Sequence, residues 1–181
     1  MKKKKNLLVL ALLLWTISGY AAKVDTLLVK SPAMNKNVEV VVVVPDAGLG
    51  KKATACPVIY LLHGYGGNAK TWIQLKRNLP QIADEKGIIF VCPDGKNSWY
   101  WDSPKDPAYR YETFISSELV NYIDGHYKTV ADRKGRAITG LSMGGHGAMW
   151  NALRHKDTFG GAGSTSGGVD IRPFPLNWLS N

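Results

Sequence analysis

What this 181-residue sequence lacks narrows it before any motif is read. It has only two cysteines, Cys56 and Cys92, with no Cys-x-x-Cys pair and no Cys/His grouping, so a zinc site is not supported and no metal is expected. One bridge between the two is also disfavoured. Cys56 opens one apolar run and Cys92 closes the next. If those runs are neighbouring parallel strands, about six residues at roughly 3.3 Å each set the thiols about 20 Å apart. A disulfide needs Cα atoms within about 7 Å, so both are expected as free, buried thiols. No apolar run reaches the roughly 20 residues that cross a bilayer. Internal repeats and low-complexity tracts are absent too. Positive charge is concentrated at one end: setting aside Lys2, Lys3, Lys4 and Lys5 takes the formal net charge from +9 to +5. No basic cluster remains that would read as a nucleic-acid surface.

The N-terminus explains that charge. Lys2 to Lys5 form a basic start, Leu7 to Ile17 an apolar stretch, and Ser18, Gly19, Ala21 and Ala22 a run of small residues. This is the pattern of a secretory signal peptide. Cleavage is expected after Ala21, with Ala22 as second choice. An uncleaved anchor is the alternative, against which the shortness of the apolar stretch counts. Residues 1–22 are thus read as a signal peptide and 23–181 as one domain, secreted or periplasmic. No cysteine near the cleavage site offers a lipid anchor.

Beyond residue 22, short apolar runs alternate with helical patterns. Val24 to Val29, Val38 to Val44, Val58 to Leu62, Ile88 to Val91, Arg136 to Thr139 and Gly160 to Ser164 read as strands. Thr71 to Asp84 reads as a helix with Trp72, Leu75, Leu79 and Ile82 on one face. Tyr111 to Tyr127 is a longer one with Phe114, Ile115, Leu119, Tyr122 and Ile123 inward, and Met143 to Arg154 a third. Such alternation predicts an α/β fold, a mostly parallel sheet covered by helices on both faces. Chemistry in such sheets sits at the carboxyl ends of the strands.

Two glycine-rich motifs fall at those ends. Gly140-Leu141-Ser142-Met143-Gly144 matches G-x-S-x-G between a strand and a helix, the context of a nucleophile elbow. The turn is so sharp that side chains two residues either side of the serine would collide. Ser142 is then expected in a strained backbone conformation with its hydroxyl exposed, at the electropositive start of a helix. His63-Gly64-Tyr65-Gly66-Gly67 follows another strand. Glycines let a backbone N–H approach a developing oxyanion, and Tyr65 would supply one such donor and Met143 the other. His63 is expected to pack beneath the loop and not to act as base. In the loop from Asn97 to Ala108, Trp99, Tyr100 and Trp101 are candidates for stacking on a substrate, while Asp102 and Asp106 read as loop caps.

His63-Gly-Tyr-Gly-Gly, Trp99-Tyr-Trp-Asp-Ser, Tyr111-Glu-Thr-Phe, Glu118-Leu-Val-Asn-Tyr-Ile-Asp and Gly140-Leu-Ser-Met-Gly-Gly-His-Gly-Ala occur in this order. Together they resemble the esterase D-like family of α/β-hydrolases, which includes S-formylglutathione hydrolases, tributyrin-type esterases, feruloyl esterases and mycolyltransferases. The resemblance runs from about residue 36 to the end. It implies an α/β-hydrolase fold and acyl transfer from an ester or thioester through an acyl-serine on Ser142, usually to water. The backbones of Tyr65 and Met143 would form the oxyanion hole, and no cofactor is implied.

The departure from that family is equally definite. A triad in the order Ser, acid, His has only His146, His155, Asp157 and Asp170 to draw on after Ser142. His146 lies one turn along the elbow helix, at a position where the family carries a histidine without a base role. His155 lies about 20 Å down that helix at 1.5 Å per residue, with Asp157 beside it, and Asp170 comes too early for the acid position. The catalytic Asp and His are therefore expected to be absent from this chain, which reads as a fragment lacking C-terminal strands and a helix, inactive by itself. The expected substrate of the intact protein is a small-molecule or polysaccharide-linked ester, short-acyl, acetyl or feruloyl. Export argues against the cytosolic glutathione thioester. Acyl transfer to a sugar acceptor and a non-catalytic scaffold are the alternatives.

Overall fold

The computed structural model describes residues 22–168 and residue 170, so the expected signal peptide, apart from Ala22, lies outside the described residues. Six strands are present: β1 (Lys23–Ser31), β2 (Lys36–Val44), β3 (Val58–Leu62), β4 (Ile89–Pro93), β5 (Arg136–Leu141) and β6 (Gly161–Thr165). They make one sheet in the order β1-β2-β4-β3-β5-β6. The pairings β3–β4, β3–β5 and β5–β6 are parallel, whereas β1–β2 and β2–β4 are antiparallel. The sheet is thus mixed, its parallel part confined to β4, β3, β5 and β6. The antiparallel start has a local cause. Only four residues link β1 to β2, with Asn35 at φ 50° closing the turn. A parallel crossover needs a dozen or more.

Alternation along the strands sends side chains to two cores. Val40, Val42 and Val44 join Val58, Tyr60, Leu62, Ile89 and Val91 on one face, while Val41 and Val43 join Leu61, Phe90 and Cys92 on the other. Each buried valine contributes roughly 1.5–3 kcal/mol by leaving water, so the run Val40 to Val44, every residue 0 % exposed, anchors both layers at once. The second face is covered by α1 (Thr71–Leu75) and α2 (Leu79–Lys86). The first is covered by α3 (Tyr111–Thr113), a π-helical turn (Phe114–Glu118), α4 (Leu119–His126) and α5 (Met143–Arg154).

Two helix expectations need correction. The single helix over Thr71 to Asp84 is two helices, because Pro80 sits in the first turn of α2. A proline in a helix interior removes a donor and its ring clashes with the carbonyl four residues back, here that of Lys76. The break turns Leu75 out to 63 % exposure, while Leu79 remains buried. The helix from Tyr111 runs as expected, with Phe114, Ile115, Leu119 and Ile123 buried, but through a π-helical turn. Among the described residues no helix is long and apolar enough to cross a membrane.

Candidate active site

The parallel register carries β3, β4 and β5 to one end, where the segments after them meet. Ser142 caps α5 at φ 54° and ψ −116°, a backbone conformation an L residue holds only under constraint. The constraint is crowding on both sides: a Cβ on Gly140 would overlap the Gly144 carbonyl, and one on Gly144 would overlap the Leu62 carbonyl at the end of β3. The Ser142 N–H donates to the Thr165 carbonyl at 2.8 Å and its carbonyl accepts from the His146 N–H at 3.0 Å. Ser142 itself is exposed.

The glycine loop after β3 lies against this turn, with a Cβ position on Gly64 falling 3.6 Å from the Ser142 Cβ. Its internal partners can be assigned one by one. Nδ1 of His63 donates to the Gly64 carbonyl at 2.7 Å, and Nε2 accepts from the Gly95 N–H at 2.9 Å. With both ring nitrogens engaged and the side chain buried, His63 is a clamp between the β3 and β4 loops, in keeping with the packing role read from sequence. The Gly67 N–H donates to the Gly64 carbonyl and the Gly66 N–H to Asn97 Oδ1. Among the described residues the Tyr65 N–H has no acceptor, and Met143 opens a helix whose first amides have none by geometry. Tyr65 is exposed and Met143 buried.

The aromatic trio separates. Tyr100 is fully buried and its hydroxyl accepts from the His63 N–H at 2.9 Å and donates to the His63 carbonyl at 3.2 Å. It cannot stack on a substrate, and the sequence reading is corrected there: the ring fills the core below the site. Trp99 and Trp101 are half-buried and stand edge-on to His146, at centroid distances of 5.5 and 6.0 Å. Trp101 also meets Trp150 edge-on, and Trp150 stacks beside His146. Trp150 was not singled out from sequence, although Ser142, His146 and Trp150 follow at steps of four residues along one helix face. A shallow groove of about 190 Å³ runs along that face past His146, Met149, Trp150 and Leu153.

The remaining titratable candidates lie elsewhere or are engaged. Nδ1 of His146 lies 2.7 Å from the Gly168 carbonyl, and burial lowers its pKa, partly offset by that contact. His155 points Nε2 at Glu112 at 2.9 Å, and Glu112 also accepts from Arg154 and Trp150, each at 2.7 Å. Burial works against the Glu112 anion, yet these three donors hold its pKa below the ordinary value. Asp157 lies with His155 on a polar cleft of about 510 Å³, larger than the groove but about 20 Å down α5 from Ser142. Asp170 is exposed. Asp102 accepts from the N–H and hydroxyl of Thr113, and Asp106 from the Ala108 N–H, so both act as caps. Asp94 was missed altogether. Burial raises its pKa, but the Lys96 ammonium at 2.6 Å, the Lys96 N–H and the Lys96 charge outweigh this and hold it at about 2. The His63 nitrogen 3.5 Å away accepts from the Gly95 N–H and has no proton to offer the carboxylate. Among the described residues no three His, Cys, Asp or Glu side chains converge on a point that could hold a metal.

Known proteins resemble this chain in sequence and fold. A xylanase/feruloyl esterase of Xylanibacter ruminicola is 37 % identical over 134 residues, covering 67 % of this chain and 18 % of that protein. An acetyl esterase of Caldicellulosiruptor saccharolyticus is 28 % identical over 137 residues, covering 72 % and 51 %. Among solved structures, a ferulic acid esterase superposes with a TM-score of 0.75 at 30 % identity, over 89 % of this chain and 66 % of that one. The chain therefore spans at most about half the length of these two curated relatives. Residues 31–179 match the model of the Esterase family, and with the α/β-hydrolase architecture described above the chain belongs to that family.

Proposed function

We propose that the protein is an exported serine esterase that hydrolyses carboxylic esters through an acyl-enzyme on Ser142. The observation that carries this reading is the left-handed backbone of Ser142 between β5 and α5, imposed by Gly140 and Gly144. No packing need explains an exposed serine held in such a conformation, whereas a nucleophile that must stand clear of the sheet requires it. The Ser142 hydroxyl would attack the ester carbonyl, and the N–H groups of Tyr65 and Met143 would hold the oxyanion that forms. Each such donor is worth about 3 kcal/mol in the transition state.

The base that takes the serine proton is proposed to come from beyond the described residues. His63, His126, His146 and His155 have ring nitrogens committed to Gly64 and Gly95, to Tyr122, to Gly168 and to Glu112 respectively. The proposed substrate is a short acyl or a carbohydrate-linked acetyl or feruloyl ester, which agrees with the names of the relatives and with Trp99 and Trp101 beside the elbow. Export rests on the basic and apolar pattern of residues 1–22. The test is labelling of the whole protein with a fluorophosphonate, together with turnover of 4-nitrophenyl acetate and methyl ferulate. Ser142→Ala should abolish both, and labelling that survives the substitution would move the nucleophile elsewhere.

A further inference from the structure

The fully buried Tyr100 has no place in acyl transfer, yet its contacts reach both the loop and the helix that carry the two groups proposed to hold the oxyanion. Its hydroxyl binds both the N–H and the carbonyl of His63, at 2.9 and 3.2 Å, so it fixes the peptide planes on either side of the residue that opens the glycine loop. The same ring fills the space a Cβ would need on Gly95 and on Gly147. Gly95 donates to the His63 imidazole. Gly147 lies one turn after Met143 on α5, the helix whose first N–H is the second proposed donor. The Tyr100 carbonyl accepts from Asn151 Nδ2 at 3.0 Å, tying the backbone to that helix as well. Trp99 and Tyr100 are both left-handed, at φ 57° and 60°. Two consecutive non-glycine residues adopt that conformation only where the surroundings hold them. Burial pushes the phenol pKa well above its ordinary value, which keeps the proton that His63 receives.

We propose that Tyr100 is a positioning residue for ester hydrolysis: wedged between the glycine loop and the elbow helix, it sets the spacing of the Tyr65 and Met143 N–H groups. The inference rests on the serine-esterase reading. Without the hydroxyl, the His63 N–H and carbonyl lose a buried partner and the glycine loop is free to shift. A shift of a few tenths of an ångström matters little for substrate held by its side groups, but it weakens bonds to an oxyanion that exists only in the transition state.

The test compares Tyr100→Phe with Ser142→Ala and with Tyr60→Phe, which removes another buried phenol hydroxyl, one that makes no hydrogen bond to the loop. In the whole protein, Tyr100→Phe should lower kcat on 4-nitrophenyl acetate about ten- to a hundredfold with KM within about twofold. Affinity for a boronic acid that forms a tetrahedral adduct on serine should fall by the same factor, and Tyr60→Phe should leave kcat unchanged. Wild-type kcat in Tyr100→Phe, or an equal loss in Tyr60→Phe, overturns the positioning role. Activity in Ser142→Ala would instead overturn the underlying reading. Should Tyr100→Phe not fold, Asn151→Ala carries the test, since it removes the donor that ties the Tyr100 carbonyl to the elbow helix. The same split between kcat and KM is then expected, and unchanged kcat refutes the proposal.

Discussion

Ser142 and Asp94 show how far single residues can be read. The serine was legible because its glycines are local: Gly140 and Gly144 lie two residues away, and the Gly140 collision follows from the turn itself, although Gly144 also clears Leu62 on β3. Tyr100 was not, because whether a phenol in an aromatic loop faces ligand or core depends on what the fold places beneath it. Asp94 was invisible for the same reason, its partner Lys96 being common and its burial tertiary. That burial makes it testable. With a folded pKa of about 2 and an unfolded value near 4, the carboxylate contributes stability that is fully present above about pH 4 and is lost as pH falls through about 2. Two units correspond to about 2–3 kcal/mol before screening, which the exposed Lys96 partner cuts to about 1–2 kcal/mol, or about 2–8 °C in Tm for a domain of this size. Asp94→Asn should therefore melt lower than the wild type at pH 7, and the gap should close between pH 4 and 2. A gap independent of pH would mean that the ionised carboxylate is not what stabilises this loop.

At the scale of elements, periodicity located both ends of every strand to within two residues. Strands with both faces buried are continuous apolar runs with sharp ends. It failed where one residue changes the local rule. Pro80 divides a well-patterned face, and four linking residues make β1 and β2 an antiparallel pair although each alone looks like any buried strand. The π-helical turn over Phe114–Glu118 leaves no mark on composition. The proline break has a measurable consequence. Leu75 and Leu79 share one face in an unbroken helix, yet here one is exposed and the other buried against the sheet. Urea denaturation should find Leu75→Glu within about 0.5 kcal/mol of the wild type and Leu79→Ala destabilised by about 2–5 kcal/mol. Comparable losses at both positions would show that α1 and α2 form a single helix after all.

For the molecule as a whole, the two cysteines report on whether the sheet is assembled in this register. Tyr60 pairs with Val91 across β3 and β4, so the next step sets Cys92 level with Leu61, five residues beyond Cys56. At about 3.3 Å per residue the separation along the strands is about 17 Å, well past the roughly 7 Å a disulfide tolerates. The thiols also belong to different layers, Cys56 to the core under α3, α4 and α5 and Cys92 to the core under α1 and α2. Burial raises the pKa of both, so each is a protonated and unreactive thiol in the native state. Cys92 is the more deeply placed, on a strand hydrogen-bonded to β2 on one side and β3 on the other. It can reach a reagent only when the centre of the sheet opens, so its labelling measures global unfolding and not local fraying. Pure protein that has never met a reductant should titrate two thiols per chain in guanidinium and almost none under native conditions. Slow native labelling of Cys92 should accelerate in step with added denaturant. Two thiols missing in guanidinium from a monomer would mean a bridge between them, which the β3–β4 register forbids, and the arrangement of the sheet would then have to be redrawn.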